Sequence, residues 1–340
     1  MSSTKRPAMN VVRLPSIGAV QVQKVKSMVS SVSANELVSG FPPIPSSDLV
    51  FKGGKTISDL SFVNFYVGNS QSWNQDDMKS IDSALAAAMS DKHLNNVMLQ
   101  YYPGHDAITS TFKGSELLPG NYPNRFFKDD LQNLAKYLFS QKKLDSHDLT
   151  NTVINFMLPS GTMLNTAIKG NGSSSSGELQ EKADSSQGLG GFHSSVHIPG
   201  NVPVTIYYAV GVYSEILPNQ QMNGIVVFDK PWKNVVATYY HELNEVRTDP
   251  DVEDATTVDE SRLGWYSDGP DIHGNHVSGE IGDIPIDEAN VFAARDLSTV
   301  FKEVSLTNGI GTGTGTVPIQ LQYSNAVHGP EGPIDEPHSN

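Results

Sequence analysis

The chain has 340 residues, enough to bury a sizeable core in one large domain or two smaller ones, and its 38% hydrophobic and 18% charged content is ordinary for a globular protein. A formal net charge of −14, with no lysine or arginine cluster long enough to offset it locally, argues against nucleic acid as a partner. Without cysteine there is no disulfide, thiolate ligand or cysteine nucleophile, so any metal must be held by imidazole and carboxylate.

Behind Lys5 and Arg6, the residues Pro7, Asn10, Arg13 and Pro15 interrupt the apolar stretch that a secretory signal needs, so no classical signal peptide is visible. The chain nowhere reaches the roughly 18 consecutive apolar residues of a membrane span, and the expectation is a soluble protein. Residues 1–55, rich in Ser, Val, Pro and Gly without a sustained period, read as an extended or flexible arm.

Aromatic and β-branched residues over 61–67, ending at Gly68, predict a first strand. Met78, Ile81, Leu85 and Met89 recur at helical spacing, with Asp76 and Asp77 where the helix dipole favours acid, and predict a helix over 75–89. A strand is expected over 97–102, an amphipathic helix over 129–141 on Leu131, Leu134, Leu138 and Phe139, and a buried strand over 152–158, stopped by Pro159. The alternation gives an α/β (mixed α+β) fold with a central sheet. The polar, Gly/Ser-rich stretch over 169–190 has the composition of a mobile loop, serving as a domain boundary or an inserted flap. Strand patterning resumes over 189–212, with strands at 207–213 and 224–228. A helix is expected over 234–247 and another over 288–304, then a Gly/Thr turn over 309–316 and a flexible tail over 326–340. The body, 56–325, is expected to be a single domain.

In the 234–247 helix, Val235, Val236, Tyr239, Leu243 and Val246 define a buried face. His241 and Glu245 lie four residues apart, which stacks an imidazole and a carboxylate on one side of a helix where both can reach the same ion. Glu242, beside the first ligand, is the candidate general base for water whose pKa falls to about 7 on zinc. The familiar helical zinc signature carries a second histidine where this chain has Glu245, and a solvated acidic helix face is the alternative reading. Glu280 and Asp283, on the Gly-hinged turn 279–283, are candidates for a third ligand, with Glu280 the first choice. Asp249, just before the helix-stopping Pro250, reads as a cap or an acid behind the ligands.

His193 and His197 lie four apart in a strand-like stretch that would put both on one side of a sheet, as structural histidines or as further ligands. His273 and His276 fall in a loop where histidines are usually exposed. Asp251, Glu253, Asp254 and Asp259 are hard oxygen donors that could take calcium, although their spacing fits no EF-hand and a solvated acidic loop is the alternative. No Gly-x-Ser-x-Gly elbow supports a serine hydrolase.

His-Glu-Leu-Asn-Glu at 241–245, the Thr-Asp-Pro stop at 248–250, Trp265-Tyr266 and Glu-Ile-Gly-Asp at 280–283 together resemble the phosphate-induced protein 1 (EXORDIUM-like) family and its microbial relatives. Gly190-Gly191-Phe192-His193 and Tyr207-Tyr208-Ala209-Val210 are similar to that family's upstream segment. The likeness runs from about residue 60 to 325, with its specific motifs between Gly190 and Asp283; the family's cysteines are missing. The resemblance implies a metallopeptidase-like core, usually secreted, with His193, His241, Glu242, Glu245, Glu280 and Asp283 at motif positions. The expected function is a zinc-dependent hydrolase acting on peptide or protein substrates through metal-activated water. The alternative is a non-catalytic secreted or cell-associated protein whose structural metal site supports partner binding.

Overall fold

A computed structural model describes residues 38–167, 183–252, 260–269, 279–306 and 315–338. The fold is mixed α+β, with five α-helices among the described residues around a central mixed sheet. Five strands make that sheet: β1 (Asp59–Val67), β2 (Thr109–Leu118), β3 (Thr152–Met157), β4 (Gly191–Ile198) and β5 (Val204–Gly211). Their order is β2-β1-β3-β5-β4; the first four run parallel, and β4 returns antiparallel to β5 as an edge.

Helices lie on both faces, which is why β1 and β3 are buried almost throughout rather than alternating between buried and exposed. Leu60, Phe62 and Tyr66 of β1 face helices α1 (Gln75–Ser90) and α4 (Pro231–Thr248), while Val63, Phe65 and Val67 face α3 (Lys128–Ser140). The same two-residue period runs along β4. Phe192 and Val196 go to the α3 side, so His193, Ser195 and His197 are directed to the α4 side.

Local chemistry sets the helix starts. Asn74 caps α1 by accepting from Asp76 N–H, and Asp91 caps α2 (Lys92–Met98) through the N–H groups of His93 and Leu94. Pro231 occupies the first turn of α4, where its missing N–H leaves no intrahelical bond unmade. Beyond α4, the helix α5 (Asp283–Phe292) is followed by an antiparallel pair, β6 (Phe301–Ser305) and β7 (Thr316–Gln320), and β7 covers the side of α4 away from the sheet.

Three elements differ from the sequence expectation. Residues 97–102 are not a strand: the Asp91 cap starts α2, and a 3-10 turn, Leu99–Tyr101, continues it. Residues 224–228 have strand composition but no ladder, because Asn234 Oδ1 accepts from both Val227 N and Phe228 N, and Ser214 Oγ accepts from Ile225 N. The helix expected over 288–304 begins earlier and stops at Phe292, where left-handed Ala294 and Arg295 turn the chain toward β6. The β2 strand carried no expectation, since an edge strand with alternating exposure and the left-handed Gly114 lacks the apolar run of its neighbours.

Both ends of the described chain are packed. Phe41 and Leu49 are buried, and Val50–Phe51 pairs with Trp265–Tyr266. Gly329–Glu331 pairs with Gln322–Ser324, and Ile334 N–H donates to the His93 carbonyl, so residues 326–338 are held rather than frayed. The loops expected over 169–190 and 309–316 lie mostly outside the described residues. Among the described residues no helix is long and apolar enough to cross a membrane.

Candidate metal centre

Helix α4 is buried on every side from Asn234 to Thr248, a consequence of lying between the sheet, α1 and β7. An amphipathic surface helix can send its polar face to water; this one must pair its polar groups internally. Tyr239 donates to the Phe156 carbonyl at 2.6 Å and seats the helix on β3. Tyr102 donates to the Arg247 carbonyl at 2.7 Å and ties down its last turn. His241, Glu242 and Glu245 are left at the centre of the molecule, each no more than 2% exposed.

The helical spacing brings His241 Nε2 to 3.2 Å from Glu245 Oε2. From β4, His193 places Nδ1 at 3.4 Å from that same Glu245 oxygen and 3.5 Å from Glu242 Oε2. Glu242 Oε1 points the other way, 3.9 Å from His241 Nε2. The 279–283 turn completes the surroundings on two sides: Asp283 Oδ1 is 3.9 Å from His241 Nε2, and Glu280 Oε1 is 3.5 Å from His193 Nε2. Two sets of potential ligand atoms result, His193–Glu242–Glu245 and His241–Glu245–Asp283, each with its atoms within 4.8 Å of one another. Glu280 thus stands by the far ring nitrogen of His193, and it is Asp283 that joins His241 and Glu245.

Hydrogen bonds fix which nitrogen of each imidazole faces the acids. Gln320, at the end of β7, donates its amide N–H to the Gly282 carbonyl, which turns its Oε1 toward His241 Nδ1 at 2.8 Å. That oxygen can only accept, so Nδ1 carries the hydrogen and Nε2 is the lone-pair nitrogen. His193 Nε2–H donates to the Asp249 carbonyl at 3.2 Å, leaving Nδ1 directed at the carboxylates. His241 Nε2, His193 Nδ1, Glu242 Oε1 and Glu245 Oε1 are all buried without a hydrogen-bond partner. Such a nitrogen facing carboxylates in a dry interior requires either a proton or a metal ion between them.

Electrostatics point the same way. Five acids, Glu242, Glu245, Asp249, Glu280 and Asp283, converge on two histidines, and among the described residues Glu242, Glu245, Asp249 and Asp283 form no ion pair with lysine or arginine. Burial pushes the carboxyls of Glu280 and Asp283 well above their ordinary range, raises Glu242, and lifts Asp249 to about 7. Glu245 moves oppositely, to about 2, because burial is outweighed by His241 and His193 on either side of it. Burial disfavours charge on the imidazoles, but the surrounding acids overcome it and lift His241 to about 10 and His193 well above its usual value. The cluster therefore takes up protons where it has no cation, and a metal ion would displace them.

Asp249 sits behind this set, its Oδ1 accepting from Gly264 N–H at 3.0 Å while its carbonyl orients His193. His197 shares the α4-facing side of β4 but engages Asp251 at 3.1 Å and Thr205 at 3.0 Å, in a separate and partly exposed network with Ser195. Asp251 also pairs with Arg262 at 3.6 Å; Glu253, Asp254 and Asp259, the remaining calcium candidates, lie outside the described residues, as do His273 and His276. Gln320 carried no sequence expectation; its one signal was an amide placed between Ile319 and Leu321 in an apolar strand.

Gly282 explains why the 280–283 turn can approach so closely. A Cβ there would fall 2.3 Å from His241 Nδ1 and 2.9 Å from Glu245 Oε1. Gly282→Ala is therefore expected to destabilise the fold by about 1–3 kcal/mol through overpacking and to weaken any metal binding here roughly 10- to 100-fold by tilting the imidazole. Denaturant melts and zinc titration of the variant check this, and wild-type values in both would refute the close-packing account.

The class that fold and site define is a mixed α+β protein with a buried His/Glu group that could hold a metal ion. Compared with known proteins, the chain matches no family model, no curated protein and no solved structure.

Proposed function

We propose that this protein is a metal-dependent hydrolase, with zinc as the ion and peptide bonds as the target. The observation that carries the reading is the pair of buried imidazoles whose donor hydrogens are committed to Gln320 and the Asp249 carbonyl, so that both lone-pair nitrogens converge on Glu245. A nitrogen and carboxylate donor set without thiolate suits zinc among several divalent ions. His241, Glu245 and Asp283 would hold the ion, which supplies polarisation that makes water nucleophilic near neutral pH. Glu242 accepts the proton: its Oε1 has no hydrogen-bond partner and lies on the His241 side, and burial keeps its carboxyl more basic than usual. Glu280 and Asp249 orient His193 from behind. The metallopeptidase-like core and the EXORDIUM-like family belong to the same proposal, and the motif positions 193, 241–245 and 280–283 gathering at one place support them.

Glu242→Gln tests this. The amide cannot accept a proton, so cleavage of a broad peptide library by the zinc-loaded protein is expected to fall about 10²- to 10⁴-fold while zinc stays bound at His241. Undiminished cleavage would remove Glu242 from the chemistry.

One observation favours a second reading, a closed structural metal centre in a non-catalytic, partner-binding protein: Glu280 and Asp249 are 0% exposed and His241 only 1%. On that reading, zinc raises the melting temperature but no library peptide is cut.

A further inference from the structure

We propose that the centre takes two divalent cations, bridged by the carboxylate of Glu245. The inference rests on the metal-centre reading above, though not on hydrolysis. His241, Glu245 and Asp283 form one complete group without His193. The second group, His193, Glu242 and Glu245, also brings its ligand atoms within 4.8 Å of one another; all three residues are buried, whereas Asp283 of the first group is only partly so, and the group joins a sheet strand to a helix.

His193 is the residue that a single ion on the first group leaves unexplained. Its side chain is 1% exposed, its Nε2–H is fixed on the Asp249 carbonyl, and its Nδ1 has no hydrogen-bond partner while lying 3.4 Å from Glu245 Oε2 and 3.5 Å from Glu242 Oε2. That is the arrangement His241 shows on the opposite side, with Gln320 in place of the Asp249 carbonyl. Two imidazoles on separate elements are thus oriented by separate outer partners toward one carboxylate oxygen. Such a shared carboxylate is what a two-ion centre needs, since its ions lie about 3.5–4 Å apart.

The second ion uses Glu242 without silencing it. Oε2 faces His193, and Oε1 stays on the His241 side for water. The ligand chemistry is imidazole plus carboxylate, which admits zinc and manganese.

Metal analysis and calorimetric titration of the full chain, stripped with chelator and reloaded with zinc alone, should give two ions per chain. His193→Asn should give one, retained on His241, with circular dichroism confirming that the variant is folded. The wild-type chain loaded with manganese supplies a readout that needs no variant: a bridged pair gives an exchange-coupled paramagnetic resonance spectrum, and an isolated ion does not. One ion per chain with an uncoupled manganese spectrum would overturn the two-ion centre while leaving the single-ion reading in place. No bound ion of either kind would overturn both.

Discussion

Replacing Glu245 with alanine is expected to abolish metal binding under conditions where the wild-type chain is saturated. Glu245 is the one side chain common to both ligand groups, and its Oε2 is the atom that both imidazoles approach, at 3.2 and 3.4 Å. Removing one partner from a buried charged set costs about 3–5 kcal/mol, or roughly two to four powers of ten in affinity. Glu245→Gln separates charge from shape: it preserves the volume and one carbonyl oxygen but cannot neutralise a cation, so it should fail nearly as badly. Calorimetric zinc titration reads both variants. An alanine variant that binds zinc with wild-type affinity would move the centre away from α4 altogether.

The second large effect concerns pH and a residue outside the cluster. Glu288 lies on α5, 1% exposed, with neither carboxylate oxygen hydrogen-bonded. Burial, then the neighbouring charge of Asp287, pushes its carboxyl up to about 8 from an ordinary 4.5, and Glu288 in turn acts on the phenol of Tyr323. The folded protein therefore holds a proton that the unfolded chain releases near the ordinary carboxylate value. Where the native state binds more protons, stability falls as pH rises, so this contribution is lost between about pH 4.5 and pH 8. The limiting slope is about 1.4 kcal/mol per pH unit. Glu288→Gln stays neutral at all these pH values and should flatten the decline. The amide also leaves buried donors unpaired, a pH-independent penalty of about 1–3 kcal/mol, which is why the slope rather than the absolute stability is diagnostic. Urea melts at a series of pH values, all in chelator, measure it; parallel profiles for the two proteins would exclude Glu288 as the source.

What could be read ahead of the structure follows from which periods are fixed by the backbone. The His241–Glu245 relation was legible because helical geometry places residues four apart on one face, and the apolar set from Val235 to Val246 marked the helix, found as Pro231–Thr248. The strand alternation around His193 was legible for the same reason, and β4 carries it. Neither period says what lies across the gap. That β4 runs antiparallel at the sheet edge, directing His193 at α4, is a matter of topology. Gln320 is 79 residues from the histidine it orients, beyond the reach of any local pattern. Glu280 and Asp283 were both candidates from one short turn, and only the start of α5 at Asp283 separates them, one toward His193 and the other toward His241. The element errors have a similar origin. Residues 97–102 and 224–228 have strand-like composition, but in the first case the helix that the Asp91 cap starts, with its 3-10 extension, and in the second side-chain acceptors take the backbone donors that a strand would use.

The proposed centre places a cation among His193, His241 and Glu245. An anomalous-difference map at the zinc edge, from crystals of the full chain equilibrated with zinc, tests it most directly. Density is expected within bonding distance of His241 Nε2 and Glu245, with a second peak beside His193 Nδ1. A map with no peak between α4 and β4 at saturating zinc would contradict it.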